Sequence, residues 1–366
     1  MAEGRLKSLD ALRGFDMLFI CGLSGLIVKI CALCGSPEGW LAKQMRHVPW
    51  EGLAHHDTIF PLFLFIAGVT FPFSLAKQRA AGRSSCAIWL KTLRRGLTLV
   101  ALGLIYNGLL KFDFAHLRLF SVLGCIGLAW MFAAWIWLAC GIRMRIVWMV
   151  VILLGYAALS AYCVAPDFPE ASPFSMQGNI CCWIDRTLFP NHIYGKQYDP
   201  EGLLRAIPAT VTALLGMCAG AFIRWEREGL SGGKKVACLV AAAVVLGIAA
   251  FAWGRVYPIN KALWSSTFVL AAGSYSVAML ALFYGLIDVL GWRRWAVFFE
   301  VVGLNSITIY MAPRLIDFDR ANRFLFGGVV SLFPEKAAGV VSAVGYLAVI
   351  WLFLYILHRN KIYLKV

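Results

Sequence analysis

Long apolar runs separated by short polar intervals dominate the chain. Crossing the hydrocarbon of a bilayer as a helix takes about 20 predominantly apolar residues. Ten stretches reach or approach that length: 15–34, 57–75, 90–110, 119–139, 146–164, 205–223, 236–253, 264–287, 295–312 and 338–357. A further apolar run, Phe324 to Phe333, is too short to cross and is expected to be re-entrant or interfacial. The pattern predicts an all-α fold: a polytopic transmembrane helix bundle of about ten spans, one domain over 1–366.

The longest polar interval runs over about 165–204. Pro166, Pro169, Pro173, Pro190 and Pro200, with Gly178 and Gly195, argue against a continuous helix there. A long structured extracytoplasmic loop is expected. It carries Asp167, Glu170, Asp185, Arg186, His192, Tyr194, Asp199 and Glu201 around Trp183. That mixture suits a polar ligand such as a carbohydrate, and equally a solvated lid over the bundle.

Composition agrees with the pattern. The 366 residues are 61% apolar and 14% charged, whereas a soluble domain is roughly half apolar and one quarter charged. The formal charge of +15 comes with no basic run interleaved with a soluble fold, so nucleic acid is not a partner. The charge is better explained by retention of Lys and Arg on the cytoplasmic side of spans. Basic residues from Arg5, Lys7 and Arg13 through Lys77, Arg79, Arg94, Arg95, Arg145, Arg224 and Arg293 to Lys365 fall in alternate, inner intervals. Both termini are then cytoplasmic. The first apolar run outlasts a signal peptide and lacks a small-residue cleavage site, so it is expected to stay as a span. Most of the eleven cysteines sit inside apolar runs as small hydrophobes. Cys31-x-x-Cys34 and Cys181-Cys182 adjoin outer intervals, where a disulfide or a chance helical spacing both fit. No His/Cys/Asp/Glu spacing makes a convincing metal site.

Candidate chemistry concentrates between Arg46 and Ser74. His47, Trp50, His55, His56 and Asp57 stand directly before an apolar run that contains Pro61. Ionisable groups at the mouth of a membrane helix are costly to desolvate, which favours a functional reading; headgroup-wetted interfacial histidines are the alternative. Inside the spans, Asp10 and Arg13 can pair at i,i+3 and Asp16 continues their face. Lys261 precedes Trp264-Ser265-Ser266, Asp288 closes the eighth span, and Glu300 and Asn305 lie in the ninth. Each fits an interhelix hydrogen bond or a ligand contact. Together they imply a polar interior, either a substrate path or a reaction chamber.

Several of these stretches resemble a known family. Arg5-Leu-x-Ser-Leu-Asp10-x-x-Arg13-Gly14 is followed by His47-x-x-Trp50-x-Gly52-Leu53-x-x-x-Asp57-x-x-Phe60-Pro61-x-Phe63-x-Phe65-x-x-Gly68. Tyr198-Asp-Pro-Glu-Gly-Leu-Leu204, Pro258-x-Asn260-Lys261-x-x-Trp264-Ser-Ser and Gly303-x-Asn305-Ser-Ile-x-x-Tyr310 come later. The set is similar to heparan-α-glucosaminide N-acetyltransferase and its bacterial relatives.

That resemblance implies a transmembrane acetyltransferase that uses cytosolic acetyl-CoA as co-substrate. It implies transfer to the amine of a terminal glucosamine on the far side. It further implies a homodimer and, through the bacterial relatives, an inner-membrane location. His47 matches the family's active histidine, and the charge pattern independently puts it outside. Ser24 stands where the family has an asparagine, and Trp50-Glu51-Gly52 where it has Trp-Asn-Gly, so the acceptor is the part these changes touch.

On this reading His47 acts as general base or transient acyl carrier, and Asp57 orients it, pairs with His55 or His56, or caps the following helix. Asp16, Arg94, Arg95, Asn305 and Tyr310 are the candidates for acetyl-CoA. Ser24, Trp50, Glu51, Asp185, Lys261 and Trp264 are those for the acceptor. A hydroxyl acceptor fits as well as an amine. The competing class is a transporter or flippase for a sugar or lipid-linked sugar, without acyl transfer. It calls for paired, broken spans in the two halves, which the sequence does not display.

Overall fold

The computed structural model describes residues 6–364; Arg5 and Lys365, counted above among the inner basic residues, lie outside them. Among the described residues there are helices and no strand, only an isolated bridge between Val164 and Asn179. In chain order the helices begin with α1 (Lys7–Leu18), which passes through a wide π turn (Phe19–Leu23) into α2 (Ser24–Leu33). They continue as α3 (Trp40–Gln44), α4 (His55–Ala80), α5 (Ser85–Tyr106), α6 (Val122–Ala139), α7 (Ile142–Tyr162) and α8 (Ile180–Leu188). Then come α9 (Ala206–Arg224), α10 (Gly232–Trp253), α11 (Ser266–Phe283), α12 (Ala296–Leu304), α13 (Ser306–Met311), α14 (Phe318–Val330) and α15 (Glu335–Arg359).

Serine and asparagine side chains start several helices by accepting an otherwise orphaned N–H. Ser84 accepts from Ala87, Ser121 from Gly124, Asn179 from Cys181 and Ser231 from Lys234.

Among the described residues, eight helical segments are long and apolar enough to cross a bilayer, and the bent pair Ala296–Leu304 and Ser306–Arg314 would make nine. The protein is thus a polytopic helical membrane protein. Two expected spans come out differently. The stretch 90–110 is indeed helical as α5, but Lys91, Arg94 and Arg95 lower its apolarity and it is not among those segments. The stretch 295–312 breaks by 66° at Asn305. The short run Phe324–Phe333 falls mostly in α14, a 13-residue helix that packs on α15 through Asn322, whose side chain donates to the Ser342 carbonyl at 3.0 Å.

The chain divides into two compact units. The first takes the described residues of Met1–Val48, Ala54–Ile59 and Met279–Lys365. Its centre is a crossing of α1 with α12 so close that a methyl on Gly14 would lie 1.8 Å from the Phe299 carbonyl oxygen. A methyl on Gly303 would lie 1.9 Å from that of Asp10. Small residues permit such backbone contact in membranes, where dispersion replaces the hydrophobic drive. Phe15 fills the flank, with ring centroids 5.1 Å from Phe19, 5.5 Å from Phe283 and 5.8 Å from Phe299. The Asp288 carboxylate accepts from Ser8 N–H at 3.3 Å, at the N-terminal turn of α1. Asp10 and Arg13 pair at 3.5 Å.

The second unit takes Pro49–Leu53 and Phe60–Ala278. There Gly68 of α4 and Gly216 and Gly220 of α9 bring two backbones into contact, as Gly14 and Gly303 do in the first. The interval 165–204 is structured by ion pairs. Arg186 holds Asp167 through two bonds of 2.8 and 2.6 Å, and this contact keeps the Asp167 carboxyl below the usual carboxylate range. Arg118 forks onto Asp199 at 2.6 and 2.7 Å and also holds Glu201. Burial alone would lower the Arg118 guanidinium, but these carboxylates outweigh it and raise it.

Candidate functional site

The first unit collects the histidine stretch. Asp57 lies in the first turn of α4 and is fully buried. Its two oxygens do different work. Oδ1 meets His47 Nδ1 at 2.7 Å. Oδ2 accepts from the backbone N–H of Ala54 at 3.1 Å and of Val48 at 3.3 Å. The Ala54 bond is the carboxylate half of a capping box, three residues into the helix. Asp57 thus stands at the third position of α4 and not at its N-cap, and it touches both the helix start and the imidazole.

An Asp57 carboxylate accepting at Nδ1 would fix the imidazole proton on that nitrogen and leave Nε2 as the basic one. The His47 side chain is 54% exposed while that of Asp57 is 1% exposed. A solvent-facing imidazole is thus anchored from behind by a dry carboxylate.

His56 stands beside it. The two imidazole centroids are 4.4 Å apart, tilted by 55°. His56 Nδ1 is 3.0 Å from Ser24 Oγ, at the first turn of α2. His55 turns away: its N–H donates to the Gln44 side chain at 2.8 Å, and its ring rests 4.5 Å from Phe19. The cluster Phe19, Met45 and Ile59, with Phe15 and Leu23, packs in the same unit.

Sequence reading assigned no site role to His56. The available signal was the consecutive His55-His56-Asp57: one helical turn sends three successive side chains in three directions. The α1–π turn–α2 path that brings Ser24 to His56 cannot be read from spacing. Gly22 makes that turn at φ 129°, a backbone region closed to other residues without strain, and π turns are frequent at functional sites.

Two other expected residues of this unit present buried polar atoms. Asp16 is 2% exposed and its Oδ2 has no hydrogen-bond partner among the described residues. Asn305 is 1% exposed and sits at the 66° break. Its Oδ1 accepts from Thr308 at 3.4 Å, while Nδ2 has no partner among the described residues. Buried polar groups are nearly always paired, so orphans mark a ligand or water position. Tyr310 is half-buried on α13, the helix that follows the break.

In the second unit, Trp50 donates through Nε1 to the Phe174 carbonyl at 2.8 Å and lies edge-on to Tyr198 at 5.2 Å. Glu51 is exposed. Gly52 N–H donates to the Ile259 carbonyl at 2.8 Å, which ties this turn to the Pro258–Ser266 segment. Lys261 is half-buried there. Trp264 is 1% exposed, held at φ 53° against Phe60 and Phe268. Its indole N–H has no partner among the described residues. A non-glycine residue at positive φ is strained, a state that persists where surroundings enforce it.

Asp185 is wholly buried and pairs with the equally buried Arg205 at 2.7 Å. Burial raises its carboxyl above the usual range, partly countered by Arg205. Removing either partner would strand a charge, so the geometry gives Asp185 a structural task. The neighbouring Cys182 thiol is pushed up to about 11 by burial; it and the other cysteines are free thiols. Arg95 lies with its guanidinium 4.2 Å over the Trp130 ring, and Arg94 is exposed on the same helix.

No protein-family model matches the chain. Two curated proteins are similar to it along its length. One is the heparan-alpha-glucosaminide N-acetyltransferase of Mus musculus, 24% identical over an alignment covering 100% of this chain and 61% of the mouse protein. The other is the heparan-alpha-glucosaminide N-acetyltransferase of Homo sapiens, 25% identical, covering 99% of this chain and 60% of the human protein. The chain thus spans about three fifths of the length of the curated relatives it matches, and what it shares with them is a distant, end-to-end likeness.

Proposed function

We propose that the protein is a membrane-embedded acetyltransferase. It moves the acetyl group of acetyl-CoA to the amine of an amino sugar, such as a terminal glucosamine, with His47 as the proton-handling residue. The observation that carries this reading is the exposed His47 imidazole backed by the buried Asp57 at 2.7 Å. The likeness to two named acetyltransferases supports the reaction class. The charge pattern supports cytoplasmic termini and an outward-facing His47, with donor and acceptor arriving from opposite sides of an inner membrane.

A thioester is already activated, so transfer needs positioning, a base and stabilisation of the oxyanion. The acceptor nitrogen attacks the thioester carbonyl carbon. As the C–N bond forms, His47 Nε2 takes the N–H proton, and Asp57 stabilises the resulting imidazolium. Collapse of the tetrahedral intermediate breaks the C–S bond, and His47 returns the proton to the departing thiolate. The buried Asn305 amide is suited to donate to the oxyanion. His56, oriented by Ser24, is a positioning residue that holds the face of His47. Trp50, Glu51, Lys261 and Trp264 remain the candidates for the acceptor, and Asp16 and Tyr310 for the donor.

The test is transfer of label from acetyl-CoA with purified protein, offering glucosamine, N-acetylglucosamine or buffer. Label on glucosamine that disappears in His47→Ala supports the proposal; label retained at the wild-type rate in that variant sinks the assignment of His47. The 66° break at Asn305 also suits a transporter. Among the described residues it is the one bent pair of this kind, whereas repeat-built transporters carry matching breaks. Uptake of a labelled sugar without consumption of acetyl-CoA would favour that second reading.

A further inference from the structure

Far along α4 from the histidines, its last turn contributes to a different site. A cavity of about 760 Å³ in the second unit is lined by Arg79 of α4, Trp137 of α6, Arg145 of α7 and Arg224 of α9, with Trp225 and Glu226 just beyond α9. The volume lies within the range of small-molecule and cofactor pockets, about 300–1,000 Å³.

Three guanidiniums and one carboxylate leave this pocket with a formal charge of +2. No ion pair among the described residues involves any of the three arginines or Glu226. Arg145 is pinned, with its guanidinium 3.7 Å over the Trp137 ring and Nη2 donating to the Trp137 carbonyl at 2.7 Å. Arg79 and Arg224 are exposed. Trp225 is 51% exposed, with the Arg227 guanidinium 5.7 Å from one face of its ring.

Arginines that serve only to orient spans reach towards headgroups separately. These three come from three different helices into one concavity, without a lysine, and beside two indoles. Guanidinium forks match phosphate oxygens, and an exposed indole face offers a stacking surface to any base. Glu226 adds an acceptor for an exocyclic amine or a ribose hydroxyl.

From this chemistry we infer that the cavity binds a nucleotide carrying at least two phosphates, with its base on Trp225 and its phosphates on Arg79, Arg224 and Arg145. The nucleotide chemistry is read from the pocket. Its identification with the 3′-phosphorylated ADP half of acetyl-CoA rests on the acetyltransferase reading above. It also transfers the phosphate-binding role from Arg94 and Arg95, neither of which lines this cavity.

The experiment uses the full chain in phosphatidylcholine nanodiscs and titrates adenosine 3′,5′-bisphosphate by calorimetry. Wild type is compared with the double variant Arg79→Gln/Arg224→Gln, with Trp225→Ala, and with Lys77→Gln on the same turn of α4 but outside the cavity. The double variant and Trp225→Ala are each expected to weaken Kd about ten-fold or more, with Lys77→Gln unchanged. Wild-type binding should weaken as salt is added. Unchanged affinity in monodisperse preparations of both pocket variants overturns the inference. So does arginine-dependent capture of phosphatidylglycerol that displaces the nucleotide, which would make the cavity a lipid-headgroup site.

The two readings fail separately. Arginine-dependent nucleotide binding without acetyl transfer keeps the pocket and removes the enzyme. Transfer with an unaltered KM for acetyl-CoA in the double variant keeps the enzyme and removes the pocket.

Discussion

His47 Nδ1 lies 2.7 Å from the Asp57 carboxylate, which is itself almost wholly shielded from solvent. A charge-assisted bond of this kind is worth about 1.5–3 kcal/mol, enough to select one imidazole tautomer. Asp57→Asn replaces an acceptor by an amide that can present its N–H and so reverse the tautomer. Acetyl transfer should fall by about two orders of magnitude or more, and His47→Ala by about 10²–10⁴-fold. Steady-state kinetics with labelled acetyl-CoA measure both; a mutant of Asp57 with wild-type kcat would leave it only its helix-closing role.

His56→Gln and Ser24→Ala are expected to reduce kcat by about 10-fold while leaving KM for acetyl-CoA nearly unchanged, the order expected for an outer partner that orients a working imidazole. The pH–rate profile separates positioning from mere packing. If His56 positions His47, the pH midpoint of the basal limb moves in His56→Gln. An unmoved midpoint with lowered yield of folded protein would make the contact structural.

Asn305 is expected to act at the oxyanion. Losing one such donor typically costs about 10²–10³-fold in kcat, so Asn305→Ala should show that loss with donor affinity largely kept. A fall in donor affinity with kcat preserved would reassign Asn305 to binding.

At the α1–α12 crossing, Gly303→Ala forces a methyl to within 1.9 Å of the Asp10 carbonyl oxygen. The backbones must part, and a loss of at least about 3 kcal/mol is expected, at or beyond the upper end for overpacked cores. Thermal unfolding in detergent should show it as a clear drop in Tm. Gly327→Ala, where an added methyl meets nothing within 4 Å, is the matched control.

The Asp167–Arg186 contact holds the Asp167 carboxyl below its ordinary value of 3.8. A carboxylate depressed in the folded state stabilises it above the unfolded pKa, and the gain is lost as pH falls through the lower folded value. Hydrogen exchange in the 165–190 interval should therefore be protected at pH 5 and speed up on acidification below 3.8, after correction for intrinsic exchange. Asp167→Asn should remove that pH dependence.

Most of the helices were legible because the bilayer demands length and apolarity together, and few soluble sequences satisfy both. The limit of that signal is α5, where Lys91, Arg94 and Arg95 ride on a helix that apolar counting alone reads as a span. The pairing of Asp57 with a neighbouring histidine was legible in part: the sequence left His47, His55 and His56 open, and the structure brings Asp57 to 2.7 Å from His47. Ser24 meeting His56 was not. It depends on a π turn and a single positive-φ glycine, and neither leaves a periodic trace. The buried Arg205–Asp185 pair left no trace either, for a different reason. A charge at the mouth of an apolar run looks the same whether it faces headgroups or a buried Asp185.

The close crossing of Gly14 with Gly303 also bears on how the protein is made. Gly303 leaves the ribosome 289 residues after Gly14, so for most of translation the first helix has no partner for its most intimate contact. Throughout that time Asp10, Arg13 and Asp16 must be held in the membrane, or at its edge, without the helix that later covers them. Maturation therefore ends with a docking step late in synthesis. A truncation that stops before α12 should leave the first helix open to proteases or to membrane quality control, however well the intervening helices have assembled.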